Sequence, residues 1–596
     1  MEQVEDDRRA NYWMLGLYAL IVGVVTGYGA VLFRALITIV HNIAFYGTWS
    51  LAERADAFTA PSTWGPLVIL VPVIGGMGVV FLVRTFAPEA KGHGVPEVMD
   101  AVYYREGRIR PVVAFVKSLA SALSIGSGAS VGREGPIIQI GASIGSTLGQ
   151  LARIPTWQRI TLVAAGAGAG IAATFNTPLG AVMFAIELMM PELSTRTFLP
   201  VVLATGAATY VGRLSFGLDP AFSVPVVEVG QLHPIELLTV AGFIVLGLIC
   251  GVAAWAFVRL LTAMEGHFEQ RFWKAHPYLA HAFGMLVLGL MMYGLFVAFG
   301  HYFVAGVGYH TIQSILQGNV TALGLLALLF AAKMVATTIS LGSGASGGVF
   351  SPSLFMGATL GAGFAALILP WLPDTAFAIP DFAVVGMASL VAASTGAAIT
   401  AIVMIFEMTR DYNIIVPMIL AVSLAIGIRR LLSKENIYTI KLAWRGKRIP
   451  RDRHSNMFLV RHAEEVMSRG IAVMPADRDL GDALEALGGR SPPELTHIIV
   501  DHDGRVGGVV PLRQPMGLLG QAAGRTTLGD IADSLYVLTR PDESMFVLFQ
   551  RLSRGHAERA LVVRGEGVPR PDDVVGVISK RLIADAVLRS FRTFNA

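Results

Sequence analysis

Glu134 is the residue most clearly placed to do chemistry. It stands with Arg133 in the stretch GSGASVGREGP (126–136), where every other side chain is uncharged. An isolated carboxylate in apolar surroundings is costly and marks a working site. It can carry a proton, and when ionised it can occupy the place of a permeating anion. The plainer reading is an ion pair with Arg133 at a membrane face. The same phrase returns without the acid as GSGASGGVFSP at 342–352. Each copy is a glycine-rich turn followed by a proline, Pro136 or Pro352, suited to the first turn of a helix. Such helix starts present free N–H groups and roughly half an elementary positive charge, enough to hold an anion without trapping it. The turns also spell GxSxG twice, at Gly128 to Gly132 and Gly344 to Gly348, which suggests a hydrolase with Ser130 as nucleophile and His93 as base. That motif needs a strand-to-helix turn in an α/β sheet, and these segments read as apolar helix.

The chain that must position these residues is not that of a soluble protein. It has 596 residues, 54% apolar and 15% charged, against roughly 25% charge in ordinary globular chains. Residues 1–450 hold 50 of the 88 charged side chains and residues 451–596 hold 38, or 11% against 26%. A net charge of +4 is too small for a nucleic-acid binder of this length. Uncharged runs such as Asn11 to Phe33, Ile160 to Ile186, Met334 to Pro373 and Phe382 to Phe406 meet or exceed the ~20 residues needed to cross a bilayer. Well over ten helices are expected, many short, tilted or broken, with the 65 glycines allowing close packing. The opening MEQVEDDRRANYW does not read as a signal peptide, and the single Cys250 gives no disulfide framework. Nine Lys or Arg between Arg429 and Arg453, against Glu435 and Asp452, follow the last apolar helix, Ile414 to Ile428. They assign the C-terminal tail to the cytoplasm and the chain to the cell (inner) membrane.

An internal repeat organises the apolar part. The offset of 216 that relates the two GSGAS phrases also maps Lys117 onto Lys333. Residues 176–189 and 395–409 match at a slightly different offset and bring Glu187 and Glu407 to similar places. Two halves of broken apolar segments point to a transporter site at the membrane midplane. Irregular backbone at that depth lines a cavity, and burying a small ion there costs on the order of 20 kcal/mol by the idealised Born estimate. Lys117 and Lys333 read either as sources of the pathway's field or as partners of buried acids or headgroups. Glu187 and Glu407 read as caps on helix ends near the cytoplasm.

GREGP (132–136), GHGVPE (92–97), GSGASGGVFSP (342–352) and NIYTIKL (436–442) resemble, in order and spacing, the anion-site segments of the CLC family of chloride channels and proton-coupled chloride transporters. The resemblance runs from about Tyr12 to Leu442. It implies a homodimer with one anion pathway per subunit and chloride as the bound ligand, with no further cofactor. It implies Glu134 as gate and proton acceptor, and anion contacts from His93, Gly94, Arg133, Gly135, Val349, Phe350 and Ser351. Tyr438 corresponds to the tyrosine whose hydroxyl closes the inner side. His93 stands where many members have serine. Leu188 stands where exchanger members carry a second, proton-relaying glutamate, next to Glu187. A leucine cannot carry a proton, so the expected function is a passive, glutamate-gated anion channel, with a proton–chloride exchanger as the alternative.

The expected fold is therefore an all-α polytopic membrane domain of two inverted-topology repeats with broken helices (1–445, repeats about 12–214 and 237–442). A linker (446–461) then leads to a small α/β module with units at 462–523 and 524–596. Each unit reads strand, helix, paired strands and resembles a CBS domain. The ribose-binding acid often found in such pairs is replaced by Leu582 after Ser579, and the first unit has Pro511-Leu512-Arg513-Gln514. A structural or dimerising tail is expected rather than an adenine-nucleotide site.

Overall fold

The computed structural model describes residues 12–51, 60–190, 194–224, 234–372, 375, 377–447, 449, 461–487, 495–512, 526–565 and 569–592. Its contacts divide the chain into two units, Met1–His454 and Ser455–Ala596. Most of the expected linker, 448 and 450–460, lies outside the described residues, as do Arg513 and Gln514.

Among its described residues, the first unit is built of helices. Its first half comprises α1 (Tyr12–Tyr46), α2 (Val71–Phe86), α3 (Val95–Tyr104), α4 (Val112–Gly126), α5 (Glu134–Leu151), α6 (Thr156–Phe175), α7 (Pro178–Phe184) and α8 (Thr195–Phe216). The second comprises α9 (Pro234–Phe268), α10 (Arg271–Ala275), α11 (Pro277–Phe299), α12 (Tyr309–Leu316), α13 (Leu323–Ser343), α14 (Phe350–Ile368), α15 (Ile379–Thr395), α16 (Ala398–Thr409), α17 (Ile415–Leu432) and α18 (Thr439–Trp444). Among the described residues, eight helices are long and apolar enough to cross a membrane, and several others are too short to do so alone. The last long helix extends beyond its expected end and carries Arg429 and Arg430 in its final turn.

Small residues set the packing. A Cβ at Gly141 of α5 or at Gly166 of α6 would run into the other's carbonyl, and Gly357 of α14 meets Gly386 of α15 in the same way. Both halves thus cross the helix after the GSGAS turn over the next one at glycine. Lacking a hydrophobic drive between helices in lipid, such close backbone approach supplies the packing attraction.

The second unit holds α19 (Ala463–Val466), β1 (Ile471–Pro475), α20 (Leu480–Ala486), β2 (His497–His502), β3 (Arg505–Pro511), α21 (Leu528–Ile531), β4 (Tyr536–Thr539), α22 (Met545–Arg554), β5 (Arg559–Val563), β6 (Val574–Ser579) and α23 (Lys580–Arg592). Its two three-stranded sheets are built alike. β1 runs parallel to β2 and β2 antiparallel to β3, and β4, β5 and β6 repeat that order. Ile499 and Val509 of one sheet share an apolar cluster with Leu561, Val574 and Val577 of the other. Burial holds the Tyr536 phenol above its ordinary range, and its hydroxyl donates to the Val506 carbonyl across the sheets.

Candidate functional site

The two GSGAS turns meet. The Gly132 N–H donates to the Gly348 carbonyl (2.8 Å), and the Gly348 N–H donates back to Gly132 (2.6 Å). This antiparallel bridge joins the halves where α5 and α14 begin. Gly128 (φ 106°) and Gly344 (φ 134°) end the preceding helices in backbone conformations that only glycine adopts without strain. Neither α5 nor α14 has a side-chain cap from its own N-cap residue, Arg133 or Val349, so the first-turn N–H groups are left for another partner.

That partner at α14 is Glu134. Its side chain is 1% exposed and reaches across the bridge to the other half. There it accepts from the Ser351 N–H (3.3 Å), the Ser351 hydroxyl and the Tyr309 hydroxyl. Tyr309 and Ser351 are also hydrogen-bonded to each other (3.0 Å). Arg133 turns elsewhere, its guanidinium lying 5.1 Å above the Tyr309 ring and 6.0 Å from that of Phe175. The carboxylate thus occupies a helix N-terminus, the place the sequence assigns to an anion. Phe350, at the first position of α14, packs its ring 6.1 Å from Phe175.

Among the described residues, the ammonium groups of Lys117 and Lys333 bond to backbone carbonyls rather than to acids. The Lys117 ammonium donates to the Ala90 and Gly92 carbonyls (2.9 and 2.7 Å), and that of Lys333 to Val304 and Gly306 (3.2 and 2.9 Å). Each fully buried lysine therefore fixes the loop that starts a short helix, α3 or α12. Those loops are themselves a repeat: Gly92-His93-Gly94 corresponds to Gly306-Val307-Gly308, with Gly94 (φ 84°) and Gly308 (φ 90°) as N-caps. Sequence reasoning missed this pair and with it Tyr309, the next residue. Two glycines displaced by two positions from the main offset were the available signal.

His93 lies against the site through its backbone. A Cβ at Gly135 would overlap the His93 carbonyl oxygen and come within 2.9 Å of the Gly348 Cα. The His93 ring points away, its Nε2 3.5 Å from Glu265 of α9. Glu265 and Glu97 converge on Lys441 (3.7 and 3.8 Å), and Glu97 also meets Arg445 (3.1 Å). These groups line a cavity of about 340 Å³. At its margin Glu89 is partly buried, which raises its pKa, yet the Arg110 guanidinium (2.6 Å) holds it below the usual carboxylate range. Tyr438, buried before α18, is held by its N–H to Asn436 (2.9 Å), while Ile437 donates to the Ser394 carbonyl (3.0 Å). A second cavity of about 170 Å³ lies on the Tyr309 side, lined by Arg34, His41, Arg133, Tyr309 and His310.

Glu187 and Glu407 are caps, but not on one side. Glu187 accepts from Ala398 N–H (2.8 Å), Thr400 N–H (2.9 Å) and the Thr400 hydroxyl (2.7 Å) at the start of α16. Glu407, near the end of α16, accepts from Leu179 and Gly180 N–H (3.1 and 2.7 Å) at the start of α7. The expectation that both lie near the cytoplasm is corrected: α7 and α16 run antiparallel and place the two acids at opposite ends, as an inverted repeat must. Leu188 is buried in a π-helical turn, Ala185–Met189. The Ser130 hydroxyl is hydrogen-bonded to that of Thr337 (3.4 Å).

Comparison with known proteins adds the following. The family model for voltage gated chloride channels matches residues 75–430. The H(+)/Cl(-) exchange transporter ClcA of Citrobacter koseri is 34% identical over 440 residues, covering 72% of this chain and 88% of that one. The crystal structure of a slow cyanobacterial Cl-/H+ antiporter superposes with a TM-score of 0.62 at 26% identity, covering 72% of this chain and 97% of the antiporter. A eukaryotic CLC transporter has the same fold (TM-score 0.60, 20% identity) over 95% of this chain and 97% of its own. These relatives overturn the passive-channel reading drawn from Leu188. One apolar side chain removes one titratable position and does not by itself decide the mode of transport.

Proposed function

The chain belongs to the voltage gated chloride channel (CLC) family of integral membrane proteins, and from that premise we propose that it is a proton-coupled chloride exchanger. Its C. koseri relative, named as an H(+)/Cl(-) exchange transporter, supports that choice. The observation that carries the mechanism is the Glu134 carboxylate seated at the α14 N-terminus with Tyr309 and Ser351 as donors. Ionised, it fills the seat and excludes chloride. Protonated, it loses its charge-assisted hydrogen bonds, leaves, and chloride takes its place against the helix-start amides near Val349, Phe350 and Ser351. Gly135 lets the Gly348 backbone of the other half approach, Gly94 packs against the Gly135 carbonyl of its own half, His93 contributes through its main chain, and Tyr438 closes the inner side. Lys117 and Lys333 act by holding the loops rather than by meeting the ion.

The exchanger works as a homodimer with one pathway per subunit, in the cell (inner) membrane, with the tail in the cytoplasm. The basic residues at 429–447 support that orientation. The tail's two like-built sheets support a tandem CBS pair, with a structural or dimerising role rather than nucleotide binding. Reconstituted in liposomes under a chloride gradient alone, the protein drives protons uphill at a fixed ratio, read with a pH electrode or dye. Chloride flux without proton movement overturns the exchange reading.

A further inference from the structure

Resting on the gating role of Glu134 proposed above, we propose that the Tyr309 and Ser351 hydroxyls form a latch that sets the pH at which the Glu134 carboxylate leaves its seat. Both hydroxyls converge on one carboxylate oxygen, Oε1, while the Ser351 N–H reaches Oε2. Packing and hydrogen bonding hold both donors in place. Tyr309 follows Gly308 at the start of α12, its ring packed edge-on against Phe222 (5.4 Å), near Phe175 (6.2 Å), with the Arg133 guanidinium above it. Ser351 sits in the first turn of α14. Their mutual hydrogen bond (3.0 Å) keeps both donors aimed at one place.

Hydrogen bonds from fixed donors favour the ionised carboxylate over the protonated one, so the latch must be overcome by acid before the seat is vacated. Other polar groups also face this region. Arg133 begins the same helix, and the Lys333 ammonium of α13 binds the loop before Tyr309. Tyr438 lies within electrostatic reach of Glu134. Arg34 and His41 of α1 and His310 of α12 line the adjoining cavity. Removing either hydroxyl leaves all of these in place, so its effect is separable from theirs.

The test is chloride efflux from liposomes containing the full chain, measured from pH 4 to 8. Tyr309→Phe keeps the ring and its stacking and removes only the donor. Its flux–pH curve moves toward alkaline pH by about one unit, the scale of one hydrogen bond to a charged group. Ser351→Ala moves it the same way. A merely structural loss lowers flux at every pH without moving the curve. An unmoved curve in Tyr309→Phe overturns the latch, and if that variant does not fold, an unmoved curve in Ser351→Ala does. Because only chloride is read, a wild type that pumps no protons ends the exchange reading and leaves this test intact.

Discussion

Glu187 and Glu407 each cap the helix that carries the other. Glu187, just beyond α7, closes the first turn of α16, and Glu407 on α16 closes that of α7. The pair is a reciprocal clasp between the two halves. Replacing either by alanine removes both a cap and a negative charge at a helix N-terminus, together about 1–2 kcal/mol. Both variants lower the thermal unfolding midpoint in detergent. The two losses add, since the stretch of α16 from Ala398 to Glu407 separates the caps by about 14 Å. An unchanged midpoint in either variant removes the clasp from the stability of the fold.

Glu134→Gln tests the seat itself. The amide keeps the shape of the side chain, carries no charge and cannot deliver a proton. Chloride flux in this variant becomes insensitive to pH and proton transport ceases, both measured in the same liposomes. Retained proton pumping shows that another group carries the proton.

Lys333→Met removes the ammonium donor of the buried Val304 and Gly306 carbonyls, whereas Lys117→Met leaves Ala90 with the Ser346 hydroxyl and Gly92 with the Gly347 N–H. A buried acceptor left unmade costs about 1–3 kcal/mol, so Lys333→Met is less stable by several kcal/mol and Lys117→Met by less. Lys117→Met also frees the loop whose Gly92 carbonyl accepts from the Gly347 N–H (3.3 Å). Weaker chloride binding is expected in calorimetric titration. Binding as tight as in the wild type separates that loop from the ion.

Gly135→Ala asks how tightly the loop before α3 packs on the start of α5. Alanine favours a helix by up to about 1 kcal/mol, but its Cβ overlaps the His93 carbonyl. The steric term wins, and chloride efflux falls at least tenfold. Wild-type efflux shows that the loop yields without harm.

The repeat and the helix starts at Glu134 and Phe350 follow from spelling alone, because glycine and proline at fixed offsets dictate where helices stop and start. Tyr309 was not legible in the same way. Its loop follows the repeat at an offset of 214 rather than 216, and two shared glycines are too little to reveal the register. The opposite placing of Glu187 and Glu407 follows from inversion, which reverses depth between equivalent positions. The place of the His93 ring was not legible, because its neighbour, Glu265, is far away in sequence on α9. The transport mode lay beyond a single position: Leu188 reports what one turn of helix lacks and says nothing of the routes around it.

The hydroxyl and amide donors that seat Glu134 lie 175 and 217 residues downstream of it. During synthesis the first half therefore enters the bilayer with an acid whose counterpart does not yet exist. Until Ser351 has emerged and inserted, that side chain must stay protonated, hydrated or sheltered by the insertion machinery. The order of translation thus makes assembly of the site a late event, and a chain truncated before residue 309 exposes an unanswered carboxyl group to quality control.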